Sequence, residues 1–181
     1  MRLPLRRRDG TPKTNLTYSK VQIMKNLVTT LIFTFATTVW AGDFEDGFAA
    51  SEAGDYKTAF SFYKKAAEQG ELAAQFNVGF YYDVGKGVAQ DDAEAVRWYK
   101  LAAVRGNADA QFNLSQNYAT GKGVLQDDLQ AHMWMNLAAV SGDKDAQKAR
   151  DVIAAQMTIQ QIAKAQAMAK KCLVSKYKDC D

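Results

Sequence analysis

The chain has 181 residues, 48% hydrophobic and 24% charged, with a formal net charge of +3; this is the composition of one folded domain rather than of a disordered chain. The charge is unevenly placed, because residues 1–41 hold Arg2, Arg6, Arg7, Arg8, Lys13, Lys20 and Lys25 against Asp9 alone. Residues 42–181 are therefore mildly acidic, which argues against nucleic-acid binding, since that requires a basic surface to displace counterions.

The first element in the chain is an export signal. Leu27 to Val39 is an uncharged apolar run of 13 residues, shorter than the roughly 18–20 of a membrane span and within the roughly 7–15 of a signal core. Val39 and Ala41 occupy the −3 and −1 positions of a cleavage site before Gly42, and Met24-Lys25-Asn26 is a natural start. On this reading residues 1–23 lie upstream of the true initiator, and 1–41 are an N-terminal extension plus a cleavable signal; an uncleaved anchor is the alternative. No cysteine stands at position 42 to suggest a lipoprotein, and Arg7-Arg8 lies too far from the apolar run for a twin-arginine signal. The expected location is the periplasm of a Gram-negative bacterium or the medium, with no stable membrane span after cleavage.

An internal repeat follows. Ala74-Gln75-Phe76-Asn77 returns as Ala110-Gln111-Phe112-Asn113, Gly85-Lys86-Gly87-Val88 as Gly121-Lys122-Gly123-Val124, and Gln90-Asp91-Asp92 as Gln126-Asp127-Asp128. Ala95, Trp98, Leu101, Ala102, Ala103, Val104 and Gly106 return as Ala131, Trp134, Leu137, Ala138, Ala139, Val140 and Gly142, always 36 residues on. Upstream, Ala59, Ala66, Ala67 and Gly70 keep the same spacing; downstream, Asp145-Ala146-Gln147 continues it and then the match fades. The expected units are a shortened repeat over 43–70, full repeats over 71–106 and 107–142, a divergent cap over 143–173 and a tail over 174–181. Atypical terminal units suit a stack that must close its ends.

Each unit reads as two helices. Ala74, Val78 and Tyr82 form a stripe at helical spacing, and Gly79 is small enough to let a partner helix approach. Gly85 and Gly87, like Gly121 and Gly123, end the first helix, because glycine accepts a positive φ at a helix terminus. Asp91 with Glu94, and Asp127 with Gln130, resemble the capping box that starts a helix. The second helix packs through Ala95, Tyr99, Ala102 and Ala103 and stops at Gly106, as its successor stops at Gly142. Thr158-Ile159-Gln160-Gln161 starts a final helix that runs to about Cys172, with Ile162, Ala165, Ala169 and Leu173 on one face. The body contains no proline, since Pro4 and Pro12 both lie upstream of residue 42. Eight helices in four hairpins are expected.

With these residues in place the chain resembles the Sel-one-like repeat family, related to tetratricopeptide repeats. That family's pattern is Ala-x-x-x-Leu-Gly-x-x-Tyr, Gly-x-Gly-Val, Asp, Ala-x-x-Trp-Tyr and Ala-Ala-x-x-Gly. Residues 71–106 follow it with Val78 at the leucine; residues 107–142 depart at Ser115 for the glycine and Met135 for the tyrosine. Residues 43–70 turn tightly at Gly54-Asp55-Tyr56 and lack the long loop. The resemblance implies an all-α solenoid of helix-turn-helix repeats with a right-handed superhelix, and says little about function.

Chemistry is thin along the chain. His132 is the one histidine; its place on a second helix beside Trp134 suggests a surface or groove position, and no ligand set gathers around it for a metal. Lys86 and Lys122 sit between glycines and lack the rest of a phosphate loop, so they read as solvated turn residues. Asp91-Asp92 and Asp127-Asp128 read as helix caps. Cys172 and Cys180 form an even pair in an exported chain and suggest a disulfide, with free thiols or an intermolecular bond as alternatives. No cofactor and no metal is expected.

The informative side chains are aromatic. By the resemblance, first helices line a concave groove, which places Phe44, Phe48, Phe76, Phe80 and Phe112 in or beside it, with Asp83, Gln116, Asn77 and Asp109 nearby. Phe76 and Phe112 recur between repeats and read first as packing; Phe48 and Phe80 are the stronger binding candidates, because Gln116 stands where Phe80 would recur. An apolar groove with polar edges suits a peptide or helix. The expected function is an exported, non-enzymatic scaffold or adaptor for a protein or peptide partner, envelope- or peptidoglycan-associated by the resemblance. The alternative is an enzyme acting on cell-wall or β-lactam-type substrates. The exported relatives linked to that chemistry carry a cysteine pair in each repeat, which this chain lacks, and a serine-based version is not expected either.

Overall fold

The structure, a computed structural model, describes residues 42–180; the segment expected to direct export and Met24 lie outside the described residues. Among the described residues there are eight helices and no strands. They are α1 (42–52), α2 (Tyr56–Glu68), α3 (Leu72–Val84), α4 (Asp92–Ala103), α5 (Ala108–Thr120), α6 (Asp128–Ala139), α7 (Lys144–Ala154) and α8 (Ile159–Val174). No helix among them is long and apolar enough to cross a membrane.

The helices start where an acceptor side chain meets free backbone N–H groups. Asp91 accepts from the amides of Ala93 and Glu94, and Asp127 from those of Leu129 and Gln130. The reciprocal half of the expected box is absent at Asp91, because the Glu94 carboxylate pairs with Arg97 instead. Thr158 and Gln161 do make a full capping box. Helices α3 and α5 end at Gly85 and Gly121, both left-handed, at φ 65° and 72°.

Packing runs in chain order, α2 on α3, α3 on α4, α4 on α5, α5 on α6 and α6 on α7. Alanines make this possible: Ala59, Ala66 and Ala67 of α2 are buried, as are Ala95, Ala102 and Ala103 of α4 and Ala131, Ala138 and Ala139 of α6. Small residues let backbones approach, and the bulk is supplied by Tyr63, Val78, Tyr99, Leu114 and Trp134. Gln75 and Gln111 add one polar tie per repeat, each donating its side-chain amide to the carbonyl of Ala67 or Ala103 at the end of the preceding helix.

The last helix departs from the expected hairpin. Helix α8 packs on α6 rather than on α7, with Ala165, Ala169 and Cys172 buried in one cluster with Met133 and Leu137. Their equivalents on α4, Arg97 and Leu101, lie at the surface; a third helix laid over α6 is what buries the later pair. The tail is drawn in by the pairing of Cys172 with Cys180, whose Cα atoms are 4.4 Å apart. Tyr177 rests against Gly106 at the α4–α5 turn. Lys176 and Tyr177 take left-handed backbone at φ 54° and 64°, a conformation that bulky residues adopt only when their surroundings impose it.

Candidate functional site

The first helices of the repeats share one register. Phe44 and Phe48 on α1 correspond to Phe76 and Phe80 on α3 and to Phe112 and Gln116 on α5. The structure separates the two rows. Phe44 packs on Tyr63 with ring centres 5.5 Å apart, Phe76 packs on Tyr99 at 5.9 Å, and Phe112 lies partly buried against Met135, Ala138, Ala139 and Ala146. This row packs each first helix on the second helix of its own repeat, and Phe112 also reaches Ala146 of the next unit. The second row is open: Phe48 is 56% exposed, Phe80 38%, and Gln116 is also exposed. Counting one further repeat from Gln116 reaches Val152 on α7, 63% exposed. Val152 escaped the sequence reading because the repeat motif fades beyond residue 147; the unbroken 36-residue spacing is the signal that locates it.

Asp83, expected beside these aromatics, is already engaged. Its carboxylate accepts from the Tyr99 hydroxyl at 3.2 Å and from the Lys122 ammonium, and Lys122 also reaches Asp92 at 3.3 Å. The expectation that Lys86 and Lys122 are solvated turn residues is thereby corrected. Lys122 staples its own repeat to the one before, and its hydrogen bond to Asp83 raises its pKa above the usual lysine value. Lys86 lies 3.7 Å above the Tyr56 ring, a cation–π contact. The glycines beside them serve the same seam. A side chain on Gly123 would strike the Asp92 carbonyl, and one on Gly87 the Tyr56 carbonyl. Each loop is thus pressed against the start of the preceding repeat's second helix.

His132 is a second correction. It is 1% exposed, on α6 with its Nδ1 3.1 Å from the Asn136 side-chain amide. Burial first, then the Arg150 charge, holds its pKa below the usual histidine value, with Asp151 opposing. It is a neutral core residue. The register forecasts this, since Phe60 and Val96 occupy the same position in the earlier repeats. Tyr63, pushed up to about 12 by burial and the nearby Tyr81 and Glu52, and Tyr99, raised chiefly by burial, stay protonated near neutrality and offer no base.

The S-x-x-K spacing of serine hydrolases does occur, at Ser61–Lys64, Ser141–Lys144 and Ser175–Lys178. The first pair lines an open groove of about 530 Å³ with Lys57, Phe60 and Val88. Ser61 is exposed in mid-helix and makes no hydrogen bond with Lys64, so it lacks the base contact that activates a serine. Among the described residues no group of three or more His, Cys, Asp or Glu side chains is arranged to hold a metal.

A family model described as Sel1 repeat matches residues 44–71, 72–107 and 108–143. Among solved structures, a protective antigen with an SLR fold from uropathogenic Escherichia coli is similar at a TM-score of 0.71 and 30% identity, over 76% of this chain and 30% of that one. A Sel1 repeat protein from Oxalobacter formigenes is similar at 0.58 and 30% identity, over 72% of this chain and 56% of that one. DAP3-binding cell death enhancer 1 of Rattus norvegicus is 46% identical over 43 residues, which is 24% of this chain and 8% of that protein. The Mus musculus protein of the same name is 44% identical over the same length. The likeness to these curated relatives is therefore confined to a small part of their length.

Proposed function

Because the chain belongs to the Sel1 repeat family, whose members are generally non-enzymatic protein-interaction scaffolds, we propose that it is an exported scaffold holding a protein or peptide partner on the outer row of its first helices. The observation that carries this reading is the exposure of Phe48 and Phe80 at one register on the first helices of successive repeats, with Val152 two repeats beyond Phe80. Folded chains do not gain by leaving large aromatics in water, and aromatic anchors dominate binding energy at interfaces. The flanking Gln116 and Asn77 are polar, which suits a partner read by apolar anchors and edge hydrogen bonds. Export is supported by the apolar run at 27–39 and by the paired cysteines, since disulfides persist in oxidising compartments. On this reading the partner is an envelope or peptidoglycan-associated protein met in the periplasm.

A peptide-display selection on the purified chain tests the reading. Enriched peptides should bind the Phe48→Ser/Phe80→Ser double variant about tenfold or more weakly, a loss of about 1.4 kcal/mol or more. Equal binding by the double variant would remove the outer row from the site.

A further inference from the structure

The two ends of the described chain carry opposite charge. Residues 42–55 hold Asp43, Glu45, Asp46, Glu52 and Asp55 and no basic residue, whereas residues 159–180 hold Lys164, Lys170, Lys171, Lys176 and Lys178 against Asp179 alone. Part of each set is spent internally: Asp43 pairs with Lys65, Asp55 caps α2, and Lys171 pairs with Asp179. Glu45, Asp46 and Glu52 remain exposed on α1, and Lys164 and Lys170 on α8, with no ion pair among the described residues.

Among the α1 acids, Asp46 stands at the register of an inter-repeat interface, while Glu45 and Glu52 stand at its edge, at the register of half-buried Asn77 and exposed Val84. Asp46 corresponds to Val78 and Leu114, and Ala49 to Tyr81 and Asn117, all of which are buried. Val78 and Tyr81 cluster with Ala59, Tyr63, Ala66 and Ala67 of the preceding repeat. On α1 this face has no preceding repeat among the described residues, and it carries acids around Ala49. On α8, exposed Ala163, Ala167 and Val174 form a narrow apolar stripe opposite the buried Ala165, Ala169 and Cys172. Lys164 and Lys170 border that stripe. Glu45 to Glu52 spans about 10 Å of helix and Lys164 to Lys170 about 9 Å, so the two faces match in length and are opposite in sign.

We propose that copies of this chain associate head to tail, the acidic outer face of α1 in one copy docking on the lysine-bordered outer face of α8 in the next. The contact is heterologous, so it builds open stacks or rings rather than closed two-fold dimers. It leaves Phe80 outside the contact, whereas Phe48 lies on α1 between Glu45 and Glu52, so self-association and partner binding share that end of the outer row. The bordering charges are solvent-exposed, and ions screen such pairs beyond about 8 Å at physiological salt, which makes the assembly salt-sensitive.

Sedimentation velocity of the purified chain at about 50 and about 500 mM NaCl, between which the Debye length falls from about 14 Å to about 4 Å, tests this through screening. The expected result is concentration-dependent association at low salt that is lost at high salt. Glu45→Lys/Glu52→Lys and Lys164→Glu/Lys170→Glu should each be monomeric at low salt, and an equimolar mixture of the two should associate again, because the reversed head of one meets the reversed tail of the other and the unaltered tail of the first meets the unaltered head of the second. That recovery also shows both variants to be folded. A chain that stays monomeric at low salt, association indifferent to either reversal, or a mixture that fails to recover would each overturn the proposal.

Discussion

At the scale of single residues, repeat three explains itself by a paired exchange. In repeat two, a side chain on Gly79 would collide with the Tyr99 ring. In repeat three the glycine is Ser115 and the tyrosine is Met135, both buried, and the serine hydroxyl donates to the Ala131 carbonyl at 2.6 Å. A flexible methionine yields the space that a ring would fill. Gly79→Ser alone should cost about 1–3 kcal/mol by overpacking. Adding Tyr99→Met should return about 1 kcal/mol or more of that as coupling, measured by urea unfolding of the full cycle; strictly additive losses would contradict the pairing. His132 sets a pH dependence of its own. Its folded pKa lies below the usual 6.5, so beneath that pH the unfolded chain binds a proton that the folded chain does not. Stability from this source is therefore intact above about pH 6.5 and declines as pH falls. His132→Val, the residue of repeat two, should flatten the decline in melting temperature between about pH 6.5 and 5, ahead of most carboxylate titration; an unchanged slope would place the acid sensitivity elsewhere.

At the scale of elements, what the sequence conveys is whatever repeats. Helix starts at Asp91, Asp127 and Thr158, stops at Gly85 and Gly121, and the alanine seams all follow from local chemistry or from the 36-residue spacing. Contacts made once escape that reading. The Lys122 staple depends on Asp83, whose equivalent in repeat three is Ala119, so no periodicity announces it. The placement of α8 is also made once, since the turn after Ala154 does not say which helix receives the buried face of Ala165, Ala169 and Cys172. The cysteine pair closes a short loop around that placement, worth about 2–3 kcal/mol on a chain-entropy basis. A Cys172→Ser/Cys180→Ser variant should lose about that much stability, and its hydrogen-exchange protection should fall over 159–180 while α2–α5 keep theirs. Uniform loss across the chain, or none, would contradict the view that the pair pins the terminal helix over α6.

At the scale of the molecule, repetition separates two tasks. The row at Phe44, Phe76 and Phe112 is spent on packing each first helix against the second helix of its own repeat, and the row at Phe48, Phe80, Gln116 and Val152 stays in water. A linear stack makes such a surface without a deep pocket, which is how repeat proteins present extended partners. The sequence alone ranked Phe48 and Phe80 above Phe76 and Phe112 by asking which aromatics fail to recur, and it could not reach Val152 because α7 has lost the motif while keeping the register. The most direct measurement is in-cell photo-crosslinking with a benzophenone side chain in place of Phe80, and the same probe in place of exposed Lys144 as control. The account predicts a distinct protein adduct at Phe80 that is absent at Lys144. Equal labelling at both sites, or none at Phe80 in cells where the chain is folded and exported, would contradict the outer row as the place where this protein holds its partner.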